Sequence, residues 1–421
     1  MYENKIKSSK NFRWGVNSNE INTLRKVFLH ICEEFEYTWI GKDNGMIPIY
    51  MHEICGYESK VLTVDLKHDL PDSERGLSFI KVKRIFGFLG NFAYWVKLLK
   101  RYNIFKYLIN NAKNIDVLML FHVSRCSYWY SYIYKKLNPK GKIYIKADFH
   151  LGVYQKELSI VNNSSKSLKE FFKKRRETKE YNKRKKLIPL VDLISYESLE
   201  AYNFMKDEYA GISSKGKTIY LPNGYDNLFV EKNFKIKEFK EKENIILTVG
   251  RLGTKEKNTE LLLESLKEID LNDWKVILIG SETEELLKYK EKYFKENPKL
   301  KEKIIFTGEI KDRKVLYEYY NKSKVFVLPS KWESFGIVMV EAMAFGNYVI
   351  TSNTCAANDI TNHNNIGKII EIDSKIELEN SLKESINGNI NLEEKYIKAL
   401  EYVKNFKYEE LIKKLNEGLK I

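Results

Sequence analysis

Short apolar runs bounded by turn residues recur along the chain. Residues 325–328, Val-Phe-Val-Leu, are stopped by Pro329 and Ser330, and residues 115–121, 143–147, 190–195, 244–249, 275–280, 304–308 and 348–352 are built alike. Such runs read as strands buried on both faces, as in a parallel sheet. Between them lie stretches of helical character, including residues 259–269 and the apolar segment 337–344, which ends at Gly346 as a helix ends at a glycine stop. Near the start, Ile21, Leu24, Val27, Phe28 and Ile31 predict a helix over 19–34. A strand over 35–40, a glycine turn at 41–45, a helix with Pro48 in its first turn and a strand over 61–64 are expected to follow. Residues 229–244 read as a Lys/Glu-rich linker, and 395–421 as terminal helices. Strand, loop, helix, strand is the alternation of a doubly wound α/β sheet, whose ligands sit at the C-terminal ends of the strands. Gly41 to Gly45 is then expected to line a cleft, with a plain solvent turn as the competing reading.

Composition narrows the class. A chain of 421 residues is long enough for two domains, and 43% hydrophobic with 31% charged residues is globular rather than disordered. Lys and Arg number 72 against 57 acidic residues, a net charge of +15 that favours an anionic partner. No nucleic-acid-binding module shows its spacing, so a phosphorylated substrate or an anionic membrane surface leads. The four cysteines, Cys32, Cys55, Cys126 and Cys355, are scattered; metal and disulfide roles are not expected, and a cytoplasmic protein is. No run is apolar for long enough to span a bilayer, and the first residues lack a signal peptide's apolar core.

Two carboxylates interrupt the apolar stretch after the 325–328 run: Glu333 in the loop and Glu341 on the helix, with seven residues between them. A carboxylate accepts two hydrogen bonds at once and suits vicinal hydroxyls. Ser334, Phe335 and Gly336 precede a helix N-terminus, where amide N–H groups suit phosphate. The structural alternative is a helix cap at Glu333 and an ion pair at Glu341. After the 244–249 run, Gly250, Arg251 and Lys257 form a cationic glycine loop between strand and helix, which is a phosphate site in physical terms and otherwise a set of exposed charges. His122, Asp148 and His150 stand at or just past strand ends.

Glu333-Ser-Phe-Gly followed by Glu341-Ala-Met-Ala-Phe-Gly resembles the E-x7-E motif of glycosyltransferase family 4, retaining nucleotide-sugar-dependent enzymes of the GT-B fold. Gly250-Arg251 with Lys257-Asn258 resembles that family's diphosphate-binding residues, with Lys255 close enough to share the role. Residues 218–226, Thr-Ile-Tyr-Leu-Pro-Asn-Gly-Tyr-Asp, resemble the motif closing its first domain. The resemblance implies two doubly wound Rossmann-like domains facing across a cleft. Residues 1–228 would bind the acceptor, 229–404 the nucleotide sugar, and 405–421 would form a helix crossing back. It implies that Arg251 and Lys257 stabilise a leaving diphosphate, Glu333 holds sugar hydroxyls and Glu341 the ribose. Amides of the Ser334–Phe335–Gly336 loop would add to the donor site, and His122 would touch the sugar from the other domain. A glycan or lipid-linked acceptor follows, with Gly45, Asp148 and His150 as acceptor-side candidates. No metal or other cofactor is expected, since the donor loops lack a D-x-D motif. Gly308 to Lys311 falls where relatives hold the base, and residues 354–359 depart from the glycine-rich loop common at that place.

Two basic stretches stand apart. Residues 81–109 alternate cations with aromatic and aliphatic residues, and 166–186 is a dense charge run. The first reads equally as a solvated helix face or as a surface for anionic lipid at the inner face of a membrane; the second reads first as a solvated helix face, with an anionic lipid or a polyanionic acceptor as the sharper alternative. The rival functions are an epimerase or phosphorylase on the same fold, and a catalytically silent sugar-nucleotide-binding subunit.

Overall fold

The computed structural model describes residues 25–64, 70–83, 101–149, 151–164 and 167–420. Two parallel sheets dominate it. The first is built from β1 (Val27–Ile31), β2 (Glu58–Val64), β3 (Ser73–Glu74), β4 (Leu77–Val82), β5 (Val117–Phe121), β6 (Lys142–Ala147), β7 (Leu193–Tyr196) and β10 (Thr218–Tyr220). Between the last two lies a small hairpin, β8 (Glu208–Tyr209) and β9 (Ile212–Ser213). The strand order is β10-β7-β6-β5-β1-β2-β4-β3, parallel except for the β3–β4 pair. The second sheet contains β11 (Ile245–Val249), β12 (Lys275–Ile279), β13 (Ile304–Gly308), β14 (Val325–Leu328), β15 (Tyr348–Ser352) and β16 (Gly367–Ile370), in the order β13-β12-β11-β14-β15-β16. Each order reverses direction once, between β1 and β5 in the first sheet and between β11 and β14 in the second. The crevices at these reversals are where such sheets bind ligands.

The central strands are buried on both faces, which is why they read as unbroken apolar runs. Val325, Phe326, Val327 and Leu328 are all within 1% of full burial. Each such side chain contributes roughly 1.5–3 kcal/mol on burial. Helices cover both faces of both sheets, giving each domain two apolar layers.

The beginning of the chain departs from the helix and strand expected there. Val27–Ile31 is a strand at the centre of the first sheet, not part of a helix over 19–34. Its apolar residues fall at positions that also suit helical spacing, and its place between β2 and β5 decides the conformation. Residues 35–40 form no strand; they contain a single 3-10 turn at Tyr37–Trp39. The glycine turn is instead the start of a helix, Asp43–Glu53, with Gly45 and Pro48 inside it. A Cβ at Gly45 would lie 2.4 Å from the Ile40 carbonyl oxygen, so only glycine permits this approach. The segment 229–244 is more than a polar linker, because Phe229, Phe234 and Ile236 pack into the second domain's core.

The last helix, Tyr408–Leu419, packs on the first domain through Tyr408, Leu411, Ile412 and Leu415, in one core with Phe28 and Val117. Of the basic aromatic stretch over 81–109, residues 84–100 lie outside the described residues, and Tyr102–Asn111 is a helix. Among the described residues, no helix is long and apolar enough to cross a membrane.

Candidate functional site

The second domain supplies one wall of the site. β11 and β14 are neighbours at the sheet reversal, so the loops leaving their C-terminal ends must meet. They are laced together. Lys331 N–H donates to the Glu256 carbonyl at 2.8 Å, and Asn258 Nδ2 donates to Pro329 O at 3.3 Å and Asp373 Oδ1 at 3.0 Å. The lacing brings Lys257 against Glu333 as an ion pair, with Ser330 Oγ donating to the same Glu333 oxygen at 2.9 Å. The two side chains are only 17% and 13% exposed. Gly250 lies beneath: a Cβ there would stand 3.3 Å from Lys257 Cε. Arg251 is exposed and forms no ion pair among the described residues. Gly336 turns the chain into the helix Ile337–Ala344 with φ +87°, and a Cβ there would strike Met339 Cε at 2.4 Å. The first N–H groups of this helix have no partners within it, and the Gly336 that precedes them stands beside Glu333. Ser334 is half-buried and Phe335 is fully buried.

Glu341 sits deeper on the same helix. Tyr317 OH donates to its Oε1 at 2.9 Å, Tyr320 OH to its Oε2 at 3.2 Å, and Arg313 lies 4.0 Å away. Burial pushes this carboxyl above its ordinary range, while Arg313 and the two hydroxyls oppose the shift. Arg313 also donates to Asp226 Oδ2 at 3.0 Å, at the end of the 218–226 motif. The seat of Glu341 is thereby tied to the junction of the two domains.

The first domain supplies the facing wall. Lys42 precedes the helix Asp43–Glu53, and its residue is exposed. Its ammonium is held below the ordinary lysine range by partial burial of the group first, and then by Arg251 and Lys257 of the other domain, against the pull of Asp43 and Glu36. Three cations from two domains therefore face one another, a pattern that an intervening anion relieves. His122 follows β5, exposed, with φ +62°, a conformation uncommon for a residue with a Cβ. Its N–H donates to Lys146 O at 2.9 Å, and Ser127 Oγ donates to its carbonyl at 2.7 Å. These bonds hold the strained residue at the strand end. Asp148 is exposed past the end of β6, and His150 lies outside the described residues. Gly45 is buried in its helix rather than presented on a turn.

The structure thus brings Gly250, Lys257, Glu333, Ser334 and Gly336 together, and sets Lys42 against Arg251 and Lys257. Lys42 escaped the sequence reading because its place depends on how the domains face. Tyr317 and Tyr320 also escaped it, although two tyrosines three residues apart on a helix before β14 were visible in the sequence. The departing loop at 354–359 serves the domain contact: Asp359 accepts from Leu199 N–H at 2.7 Å.

This geometry is that of a GT-B protein: two doubly wound domains whose facing reversals hold cations, a carboxylate and a helix N-terminus. Residues 229–402 match the family described as glycosyl transferases group 1. Among curated relatives, it is 33% identical over 170 residues to an uncharacterized 41.2 kDa protein in the cps region of Klebsiella pneumoniae, covering 39% of this chain and 44% of that one. It is likewise 33% identical over 167 residues to the capsular polysaccharide biosynthesis glycosyltransferase CapM of Staphylococcus aureus, covering 36% and 42%. The matches span less than half the length of these relatives. Solved structures extend the likeness of fold to nearly the whole chain. The sucrose-phosphate synthase of Thermosynechococcus elongatus superposes with a TM-score of 0.64 at 17% identity, over 93% of this chain and 98% of that one. Anabaena HepE, in complex with UDP and glucose, gives 0.62 at 14% identity, over 94% and 100%.

Proposed function

We propose that this protein transfers a glycosyl group from a nucleoside-diphosphate sugar to a saccharide or lipid-linked acceptor, with retention at the anomeric carbon, in the synthesis of a surface polysaccharide or glycolipid. One observation carries the reading: Arg251, Lys257, Glu333 and the Gly336 helix start gather at the β11–β14 reversal, with Lys42 of the first domain set against Arg251 and Lys257. As the glycosidic bond breaks, negative charge grows on the diphosphate. Arg251, Lys257 and Lys42 meet that charge from both domains, and fixed charges in a cleft need little reorganisation to do so. Glu333 accepts hydrogen bonds from sugar hydroxyls, and Glu341, seated on its tyrosines, accepts from the ribose. His122 contacts the sugar from the opposite wall. The acceptor attacks from the leaving group's face, and the departing phosphate takes its proton. UDP in HepE, and the polysaccharide role in CapM's name, agree with this class of donor and product. The domain division that goes with it is 1–228, 229–404 and a crossing helix at 405–421.

The test is calorimetric titration with UDP, GDP and ADP, without metal, followed by transfer assays with the sugars of the nucleotide that binds. One nucleotide should bind, and Arg251→Ala should abolish both binding and transfer with an unchanged circular dichroism spectrum. Wild-type transfer in that variant would overturn the assignment.

A further inference from the structure

A second polar cluster lies at the ends of β6 and β7, and the donor chemistry makes no use of it. Lys146 is buried at the C-terminal end of β6. Its Nζ donates to Glu197 Oε2 at 3.3 Å and to Leu221 O at 3.4 Å, and both ionic side chains are 1% exposed. Asn223 Nδ2 donates to the same Glu197 oxygen at 3.0 Å. Asp43, buried at the start of its helix, faces Lys146 and Asp148. Asp148, two residues past Lys146 in the chain, is exposed, and its carboxyl meets that of Glu197. Among the described residues, Tyr144, and Cys355 from the second domain, also lie near Glu197.

The charges do not balance. Two ammoniums, Lys146 and the Lys42 that adjoins Asp43, stand against three carboxyls, two of them buried, and buried charge without compensation is costly. Among the described residues, Glu197 Oε1 and Asn223 Oδ1 have no hydrogen-bond partner, although both side chains are at least nine-tenths buried. With both carboxyls ionised, the Glu197–Asp148 contact is repulsive. With one shared proton it becomes a hydrogen bond. Burial, with the help of Asp148 and Asp43 and against the pull of Lys146, pushes the Glu197 carboxyl up to about 8, which keeps that proton in place at neutral pH. The result is an outward carboxylate held from behind by a buried acid, at the strand ends of the domain that faces the donor loops.

We propose that Asp148 is the hydrogen-bond acceptor for a hydroxyl of the incoming saccharide, and that Glu197, fixed by Lys146 and Asn223, is the residue that positions it. Lys146 and the shared proton keep the local charge low, which suits a neutral hydroxyl donor. The proposal rests on the glycosyl-transfer reading and adds the acceptor's contact to it. Above the ionisation of Glu197 the hydrogen bond to Asp148 is lost and the two carboxylates repel. Affinity for the saccharide then falls as pH rises.

The full chain is titrated at pH 7, with saturating UDP, GDP or ADP as the donor test selects. The probes are octyl β-D-glucoside, octyl β-D-galactoside and octyl α-D-mannoside below their micellar concentrations, read by saturation-transfer NMR. At least one should bind, and Asp148→Asn should weaken it tenfold or more while nucleotide affinity stays unchanged. From pH 7 to 9 the wild-type glycoside affinity should fall at least threefold, and Glu197→Gln should flatten that dependence. Unchanged glycoside affinity in Asp148→Asn, a flat wild-type profile, or nucleotide binding with none of the glycosides bound would each overturn the proposal. Failure of all three nucleotides would overturn the donor reading itself, and the proposal with it.

Discussion

The Lys257–Glu333 pair makes an uncommon prediction: neutralising a donor-site carboxylate should tighten binding of the bare nucleotide. The Lys257 ammonium is engaged by Glu333, and both side chains are largely buried. Unit charges in contact at an effective dielectric near 20 attract by roughly 5 kcal/mol, of which desolvation leaves about 1–3 kcal/mol net. An arriving diphosphate must share or displace this partner, so it recovers only part of what Lys257 can offer. Glu333→Gln removes the competitor's charge and keeps its shape. We expect UDP, or whichever nucleotide binds, to gain about 0.5–1.5 kcal/mol, a threefold to tenfold lower Kd.

The corresponding nucleotide sugar should respond with the opposite sign. There Glu333 accepts hydrogen bonds from sugar hydroxyls, and a charged acceptor is stronger than an amide oxygen by about 1–2 kcal/mol per bond. The variant should therefore bind nucleotide sugar more weakly and lose most of its transfer rate. Lys257→Met should weaken both ligands about tenfold or more. Calorimetry with both ligands on the three proteins, at one salt concentration, reads all of this. If Glu333→Gln leaves the bare nucleotide's affinity unchanged or lowers it, Lys257 and Glu333 do not compete, and the charge argument is wrong.

Two stability predictions follow from buried ions. Lys242 donates to the carbonyls of Tyr320, Asn321 and Ser323 at 3.3, 2.8 and 2.9 Å, closing the C-terminal end of the helix Arg313–Lys322. Lys242→Met should cost about 2–4 kcal/mol and lower the urea midpoint. For Glu197, a carboxyl raised from 4.5 to about 8 stabilises fully below 4.5 and loses that contribution as pH rises to 8. Between pH 6 and 8.5 the loss is at most about 2–3 kcal/mol, and Glu197→Gln should narrow the gap in urea midpoints between those two pH values.

What the sequence revealed depended on how many faces of each element are buried. β11 and β14 are buried on both faces, so their apolar runs announce them, and the loops that follow carry recognisable chemistry. β1 is just as central, yet Val27, Phe28 and Ile31 also satisfy a helical repeat. Its strand character comes from pairing with β2 and β5, which no local pattern encodes. Glu333 and Lys257 were legible as separate residues, but their contact was not, since it follows from β11 and β14 being neighbours. Lys146 left a trace that went unread: a lysine between Ile145 and Ala147, inside an apolar run, announces a buried charge in need of a partner. That partner, Glu197, stands just past another strand end.

Arg313 joins these parts and allows a last prediction. Its guanidinium reaches Asp226, Tyr317 and Glu341, and it packs on the rings of Phe229 and Tyr317 at 5.1 Å. Burial would raise the Asp226 carboxyl, but Arg75 and Arg313 outweigh burial and hold it below the ordinary range. Arg313→Met therefore leaves Asp226 paired, because Arg75 at 2.6 Å and Tyr50 at 2.8 Å remain. Glu341 has no such reserve. Its carboxyl is already raised by burial, and without Arg313 only two tyrosines oppose the shift. It should then stay protonated to higher pH and lose its strength as an acceptor for ribose hydroxyls. The ratio of variant to wild-type Kd for the nucleotide should be largest at pH 5.5 and fall toward pH 8, as Glu341 ionises. Taking the ratio removes the titration of the nucleotide's own phosphate. A ratio independent of pH would mean that Glu341 does not meet the ribose, and that its two tyrosines complete its role.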